Sequence, residues 1–169
     1  MERLWSPWRL EYILSEKGEG CIFCDKIADN NDKANYILQR GKKCYVMLNL
    51  YPYNNGHLMI IPYQHVPSPE QLEEDTLTEM MLMVNRSLEA LRRAMQPDGF
   101  NVGINIGKAA GAGIEEHVHI HVVPRWEADT NFMPVFSNTR VIPELMDDTY
   151  RKLKAAWEEV VVDCDQSSV

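Results

Sequence analysis

His117-Val-His-Ile-His-Val-Val-Pro124 alternates imidazole side chains with β-branched apolar ones. An extended strand turns successive side chains to opposite faces. The stretch therefore predicts a strand with Val118, Ile120 and Val122 toward a core and His117, His119 and His121 on the other face. Same-face neighbours on a strand lie about 6.5 to 7 Å apart, so an unbroken strand does not easily bring three rings onto one metal ion, and divided roles are expected. Imidazole serves as nucleophile, as general acid or base, or as metal ligand, and the partner of its second ring nitrogen selects the task. The alternative is a polar strand with surface histidines. Against it, three of the five histidines in the chain fall here.

Directly before the histidines runs Gly107-Lys-Ala-Ala-Gly-Ala-Gly113. It is not a Walker A loop, having no Gly-Lys-Ser/Thr, and it lacks the GxGxxG dinucleotide fingerprint. Glycines here permit close backbone approach, so Gly107, Gly111 and Gly113 can turn peptide N–H groups toward an anion, with Lys108 nearby. A simple turn between strands is the competing reading. The position next to a histidine strand favours a phosphate held against an imidazole.

The four cysteines include one close pair, Cys21-Ile-Phe-Cys24. A thioredoxin-type site opens a helix after a buried strand, whereas this pair follows the polar Glu16-Lys-Gly-Glu-Gly20, so redox work is disfavoured. Two thiolates are half a tetrahedral zinc shell, and the histidines are the candidates for the other half. Cys44 reads as a small buried residue and Cys164 as a tail residue.

Further out, Cys44 to Leu50 and His57 to Ile61 are strand-like and flank Tyr51-Pro-Tyr-Asn-Asn-Gly56, which predicts a hairpin. Apolar residues at Leu77, Met80, Val84, Leu88, Leu91 and Met95 predict one buried face of a helix from about Leu72 to Met95, its methionines being core filler. Gly99 to Ile106 and Val118 to Pro124 are two more strands, and Pro143 to Val162 is a second amphipathic helix. Hairpin-linked strands with separate helices indicate an antiparallel α+β domain. The segment Leu4-Trp-Ser-Pro-Trp-Arg-Leu-Glu-Tyr-Ile13 is too aromatic for a free tail and is expected to pack on the body or on a partner.

The 169 residues, 45% hydrophobic and 25% charged, suit one soluble globular domain. A net charge of −8 disfavours broad binding to nucleic acid or anionic membrane surfaces, while leaving room for a local phosphate site. No apolar run approaches the ~20 residues of a membrane span, and Met-Glu-Arg-Leu-Trp has no signal-peptide core, so a cytoplasmic protein is expected.

Gly56-His-Leu-Met-Ile-Ile-Pro62 with His65, together with His117-Val-His-Ile-His-Val-Val-Pro-Arg125, resembles the two halves of the histidine triad superfamily of nucleotide hydrolases and transferases. The resemblance runs from about Cys21 to Arg125. Trp5-Ser-Pro-Trp-Arg9, Pro124-Arg-Trp126 and Asp129-Thr-Asn-Phe-Met133 resemble the bacterial branch that includes diadenosine tetraphosphate phosphorylases. The resemblance implies an aromatic N-terminal segment over 1–20, a triad domain over 21–133 and a C-terminal helical extension over 134–169.

By that resemblance His119 is the nucleophile that attacks the α-phosphorus and forms a nucleotidyl-histidine, His121 positions phosphate and nucleophile, and His57 supports the same site. Asn49 matches a ribose-binding position. Asn105 and the backbone about Gly111 and Gly113 match phosphate contacts. In metal-binding relatives the ligands correspond to Cys21, Cys24, His65 and His117, a closed and therefore structural zinc set. No catalytic metal or organic cofactor is expected.

Two positions depart from the family pattern. Gly113 stands where many relatives carry Gln or Ser, and Ala128 where close bacterial relatives tend to have Gly. The leading expectation is transfer or hydrolysis on dinucleoside polyphosphates with phosphate or water as acceptor. Nucleoside phosphoramidate hydrolysis is the second, and non-catalytic nucleotide binding or a zinc-stabilised interaction protein the third. A homodimer or larger homo-oligomer is expected, because the aromatic N-terminal segment and the Met-rich helix carry more apolar surface than one small sheet covers and family members commonly pair.

Overall fold

The structure, a computed structural model, describes residues 20–127, 129 and 144–166, the last three of these by backbone alone. Five strands form one sheet: β1 (Ile37–Arg40), β2 (Cys44–Leu48), β3 (Leu58–Pro62), β4 (Gly99–Ile104) and β5 (Ile120–Arg125). Their order is β1-β2-β3-β5-β4, and each adjacent pair is antiparallel. Among the described residues three α-helices accompany the sheet, α1 (Ile22–Ala28), α2 (Glu74–Met95) and α3 (Met146–Gln166). The fold is the expected antiparallel α+β arrangement with two main helices.

The two-residue period of the strands divides the interior. Cys44, Val46 and Leu48 of β2, Leu58 and Ile60 of β3, and Val118, Ile120 and Val122 join the main core with α2 and α3. Tyr45, Met47, Met59 and Ile61 face the other way and form a smaller cluster with Phe23 of α1. β2 and β3 are buried on both faces, which suits their nearly continuous apolar composition.

The hairpin between β2 and β3 forms as expected, with Cys44 opposite Pro62 and Leu48 opposite Leu58. Gly56 in its loop has φ +76°, and a Cβ there would lie 2.6 Å from the Met95 sulfur, so both conformation and the approach of α2 require glycine.

Helix α2 buries Met80, Met83, Val84, Ser87, Ala90 and Leu91. Leu77, expected on that face, is instead 38% exposed, while its neighbour Thr76 is buried, so the buried face in the first turn passes through Thr76. Acidic Glu74 and Asp75 open the helix, Arg92 and Arg93 close it, and Gln96 caps it in the left-handed region, all favourable to the helix dipole and terminal carbonyls.

Helix α3 packs Leu153, Trp157 and Val160 into the main core. It also blunts the β1 edge: Tyr150 Oη donates to the Ile37 carbonyl at 3.0 Å and Lys154 Nζ to the Leu38 carbonyl at 2.7 Å. The opposite edge, β4, exposes Val102 and Ile104.

Two elements differ from the sequence reading. β1 falls in a stretch to which the sequence reading assigned no element, and the Cys21-to-Cys24 pair does open a helix, α1, with Cys21 at its N-cap. Strand β4 stops at Ile104 and β5 starts at Ile120. Cys44 is fully buried as expected, and its thiol is pushed up to about 12 by burial and by the Glu79 carboxylate. The Trp5–Arg9 segment, Ala128, Asn131–Met133 and Pro143 lie outside the described residues.

Buried Tyr45 ties α1 to the sheet through its hydroxyl, which donates to the Phe23 carbonyl at 2.9 Å. Tyr45→Phe leaves that carbonyl without its partner and is expected to lower unfolding free energy by about 1 to 3 kcal/mol in denaturant titration. A loss below about 0.3 kcal/mol would show that the tie contributes little.

Candidate active site

The histidines before and within β5 separate as strand spacing requires. His117 turns toward α1, while His119 and His121 face a cleft on the sheet side opposite the main core. That cleft encloses about 690 Å³, open solvent included, and is lined by Ile22, Phe23 and Lys26 of α1, by Met47, Asn49, Leu50, Tyr51, Tyr53 and Met59, and by Asn105, Gly113 and Ile114 with the two histidines. Its mixed apolar and polar walls suit a small-molecule site.

His119 is 5% exposed. Its Nδ1 lies 2.9 Å from the His117 carbonyl oxygen, which can only accept, so Nδ1 carries the proton and Nε2 keeps its lone pair. Burial holds the His119 pKa below its ordinary value of 6.5, partly offset by the carbonyl contact. The ring is neutral at pH 7 and its unprotonated nitrogen is Nε2. Phe23 packs edge-on at 4.9 Å and His121 at 4.6 Å, which fixes the plane of the ring.

A second chain of hydrogen bonds sets His121. The Tyr53 backbone N–H donates to His57 Nδ1 at 3.1 Å, so His57 carries its proton on Nε2. That Nε2 is 3.0 Å from His121 Nδ1, which then accepts and leaves the His121 proton on Nε2. His57 is fully buried and Tyr53 stacks on it at 4.9 Å. The register that sets Met59 opposite His121 carries this hairpin geometry to the cleft. Asn49 Nδ2 also approaches His57 Nδ1 at 3.4 Å, while its Oδ1 accepts from the Tyr51 N–H at 2.9 Å, so Asn49 holds the hairpin loop as well as forming a cleft wall.

A metal-type cluster stands behind the cleft. One donor atom each from Cys21, Cys24, His65 and His117 lies within 4.8 Å of the others. Cys21 Sγ is 3.3 Å and Cys24 Sγ 3.7 Å from His117 Nδ1, and Cys24 Sγ is 3.4 Å from His65 Nδ1. A tetrahedral ion with metal–sulfur distances of about 2.3 Å and metal–nitrogen distances of about 2.0 Å requires S···N edges near ~3.5 Å, so the spacing fits zinc. His117 Nε2 donates to the Pro62 carbonyl at 2.8 Å, leaving Nδ1 for a metal, the usual outer support of a ligating histidine. Burial keeps His117 below its ordinary value, and burial with the adjacent Cys21 sulfur raises the Cys24 thiol.

Of the expected site residues, the cleft gathers Asn49, Asn105, Gly113, His119 and His121, with His57 directly behind. Gly107, Lys108 and Gly111 do not line it. They form a tight turn, Lys108–Ala110, with Gly107 at φ +75° and Gly111 at φ +84°. The Ala110 and Ala112 N–H groups donate to the Gly107 carbonyl at 3.3 Å and the Gly111 N–H to the Lys108 carbonyl at 2.9 Å. Arg125 is engaged by Asp129 at 2.6 Å and Asn101 at 2.7 Å.

Sequence reasoning missed Phe23, Tyr53 and Lys26. The only available signal was that the two residues between a metal-binding cysteine pair have to face away from the metal.

The HIT domain model matches residues 30–128. An AP-4-A phosphorylase of Mycobacterium tuberculosis is 38% identical over 166 residues, covering 93% of this chain and 85% of that protein. Among solved structures, a Zn-bound histidine triad family protein from Mycobacterium smegmatis superposes with TM-score 0.70 at 24% identity, over 85% of this chain and 97% of its own. A hypothetical histidine triad nucleotide-binding protein of Sulfolobus tokodaii gives 0.66 at 28% identity, over 85% and 93%. The alternating histidines, the hairpin that backs them and these matches lead to one assignment: the chain belongs to the HIT domain family.

Proposed function

We propose that the protein is a nucleotidyl transferase on dinucleoside polyphosphates, converting diadenosine tetraphosphate and phosphate to ADP and ATP. The observation that carries this reading is the buried, neutral His119 with its lone pair on Nε2, facing a cleft lined by His121, Asn49, Asn105 and apolar side chains. The similarity to an AP-4-A phosphorylase over most of both chains supports the substrate class.

In this mechanism the Nε2 lone pair attacks the α-phosphorus, the bridging P–O bond breaks, and ATP leaves. The resulting nucleotidyl-histidine is a P–N bond that phosphate oxygen then attacks, returning the electron pair to Nε2 and releasing ADP. His121, protonated on Nε2, donates to a phosphate oxygen as charge grows, and His57 keeps it in that tautomer. Asn105 and the backbone at Gly113 add polar contacts. Asn49 addresses the ribose, and the apolar wall of Ile22, Phe23 and Met47 addresses the base. Zinc on Cys21, Cys24, His65 and His117 would have no open position for substrate, so its contribution is structural. The thiol ligands suit a reducing, cytoplasmic setting, and no helix among the described residues is long and apolar enough to cross a membrane.

Residues 21–133 are read as the HIT domain and 134–169 as an extension whose α3 shares its core. The exposed β4 edge, with Val102 and Ile104, and the exposed Met81 and Leu82 of α2 support pairing of two copies, which sedimentation at micromolar concentration reports.

His119→Ala is expected to lower turnover by roughly 10³-fold or more while retaining nucleotide binding. With labelled phosphate, the wild-type protein should place label in ADP. AMP and ATP as products, at a rate indifferent to phosphate, would make it a hydrolase.

One zinc per chain is expected by elemental analysis. Cys24→Ser should abolish it and lower the thermal midpoint by about 5 °C or more. Metal-free protein of undiminished stability would contradict the structural role.

A further inference from the structure

The loop between β2 and β3 carries His57 and takes much of its shape from side chains. The backbone N–H groups of Tyr51, Tyr53 and Asn55 donate to the side chains of Asn49, His57 and Asn54 in turn. Asn55 ties the loop to the start of α3, its Nδ2 donating to Glu144 Oε2 at 3.3 Å and its Oδ1 accepting from Thr149 Oγ1 at 3.1 Å. Asn54 reaches β5 instead.

The Asn54 amide makes two bonds there, Nδ2 donating to the Pro124 carbonyl at 3.0 Å and to Asp129 Oδ2 at 2.9 Å. The Asp129 carboxylate is itself fixed. Its side chain is 10% exposed and accepts from Arg125 Nε at 2.6 Å, Arg125 Nη2 at 2.7 Å and the Trp126 N–H at 3.2 Å. The pairing of β3 with β5 ends at Leu58 opposite Val122, and beyond it the Asn54 side chain continues the link. A closed ring results. It runs from His121 along β5 to the Pro124 carbonyl, through the Asn54 side chain to the adjoining Tyr53 amide, and through His57 Nδ1 and Nε2 back to His121 Nδ1.

We propose that Asn54 is a positioning residue that sets the proton positions of His57 and His121 by holding the Tyr53 N–H against His57 Nδ1. The tautomer of a neutral histidine follows from which ring nitrogen meets a donor. Asn49 Nδ2 also approaches His57 Nδ1, but at 3.4 Å it is a longer and weaker contact than the Tyr53 amide at 3.1 Å. With the Tyr53 amide displaced, His57 gains access to the Nδ1–H form. Its Nε2 then accepts from His121 Nδ1–H, and His121 Nε2 faces the cleft without a proton. The proposed donor to the phosphate oxygen is lost. The inference rests on that role of His121, although the proton positions themselves are observable without substrate.

Nitrogen NMR of histidine-labelled Asn54→Ala tests it, with thermal midpoints confirming folding and Asn55→Ala as a control that frees the loop from α3 alone. In Asn54→Ala the two ring-nitrogen shifts of His57, and those of His121, should move toward each other as tautomers mix, while His119 keeps its Nδ1–H form. Asn55→Ala should match the wild type. Turnover of diadenosine tetraphosphate by Asn54→Ala should fall about tenfold in kcat with KM within about threefold. Unchanged His57 and His121 shifts in folded Asn54→Ala would overturn the proposal, as would an equal change in Asn55→Ala, the mark of general loop loosening. If Asn54→Ala does not fold, Asp129→Ala, which removes one of the two Asn54 acceptors, must show the same movement in smaller measure; no movement, or a second unfolded variant, overturns the proposal as well. Moved tautomers with undiminished kcat, or a wild type that turns over no dinucleoside polyphosphate, would overturn the enzymatic reading and leave the positioning by Asn54 standing.

Discussion

The hydrogen bond from His119 Nδ1 to the His117 carbonyl, 2.9 Å long, is the constraint on which the rest of the site depends. A histidine with its proton on Nε2 would present a donor to the cleft and could not attack phosphorus. The carbonyl points where it does because the side chain of His117 is fixed from two sides, by the cysteine sulfurs at its Nδ1 and by the Pro62 carbonyl at its Nε2. One peptide unit thus joins the metal-type cluster to the candidate nucleophile. Phe23 reinforces the link, lying 5.5 Å from the His117 ring and 4.9 Å from the His119 ring while sitting between the two cysteines in the chain.

This arrangement explains why so short a helix as α1 is useful. Seven residues are too few for stable helix formation alone, and α1 has no side-chain cap. Cys21 and Cys24 face the cluster, Ile22 and Phe23 face the cleft, and Tyr45 holds the Phe23 carbonyl from the sheet. Anything that fixes the cysteines fixes the cleft wall as well. A structural metal would therefore act on substrate binding through side-chain position, without touching the reacting atoms.

Much of this was legible in the sequence where a period repeats long enough to be read. The alternation from His117 to Val122 gave both faces of β5, and the apolar positions of α2 gave its extent to within two residues. Asn-Asn-Gly marked the hairpin that carries His57. What escaped has physical reasons. β1 is four residues long, and its burial depends on Tyr150 and Lys154 more than a hundred residues away. Leu77 fits the helical stripe, yet Thr76 is buried in the first turn in its place. In the glycine segment the Ala110, Gly111 and Ala112 N–H groups close a turn, a geometry set by φ angles that composition does not carry. The separation of His117 from His119 and His121 followed from strand spacing alone, whereas the identity of its partners needed the tertiary fold.

The central claim is a proton position, and nitrogen NMR observes it directly. In histidine-labelled protein near pH 7, long-range proton–nitrogen correlation should show His119 as the neutral Nδ1–H tautomer, with Nε2 at the shift of an unprotonated ring nitrogen. An Nε2–H tautomer, or a doubly protonated ring at that pH, would contradict the account.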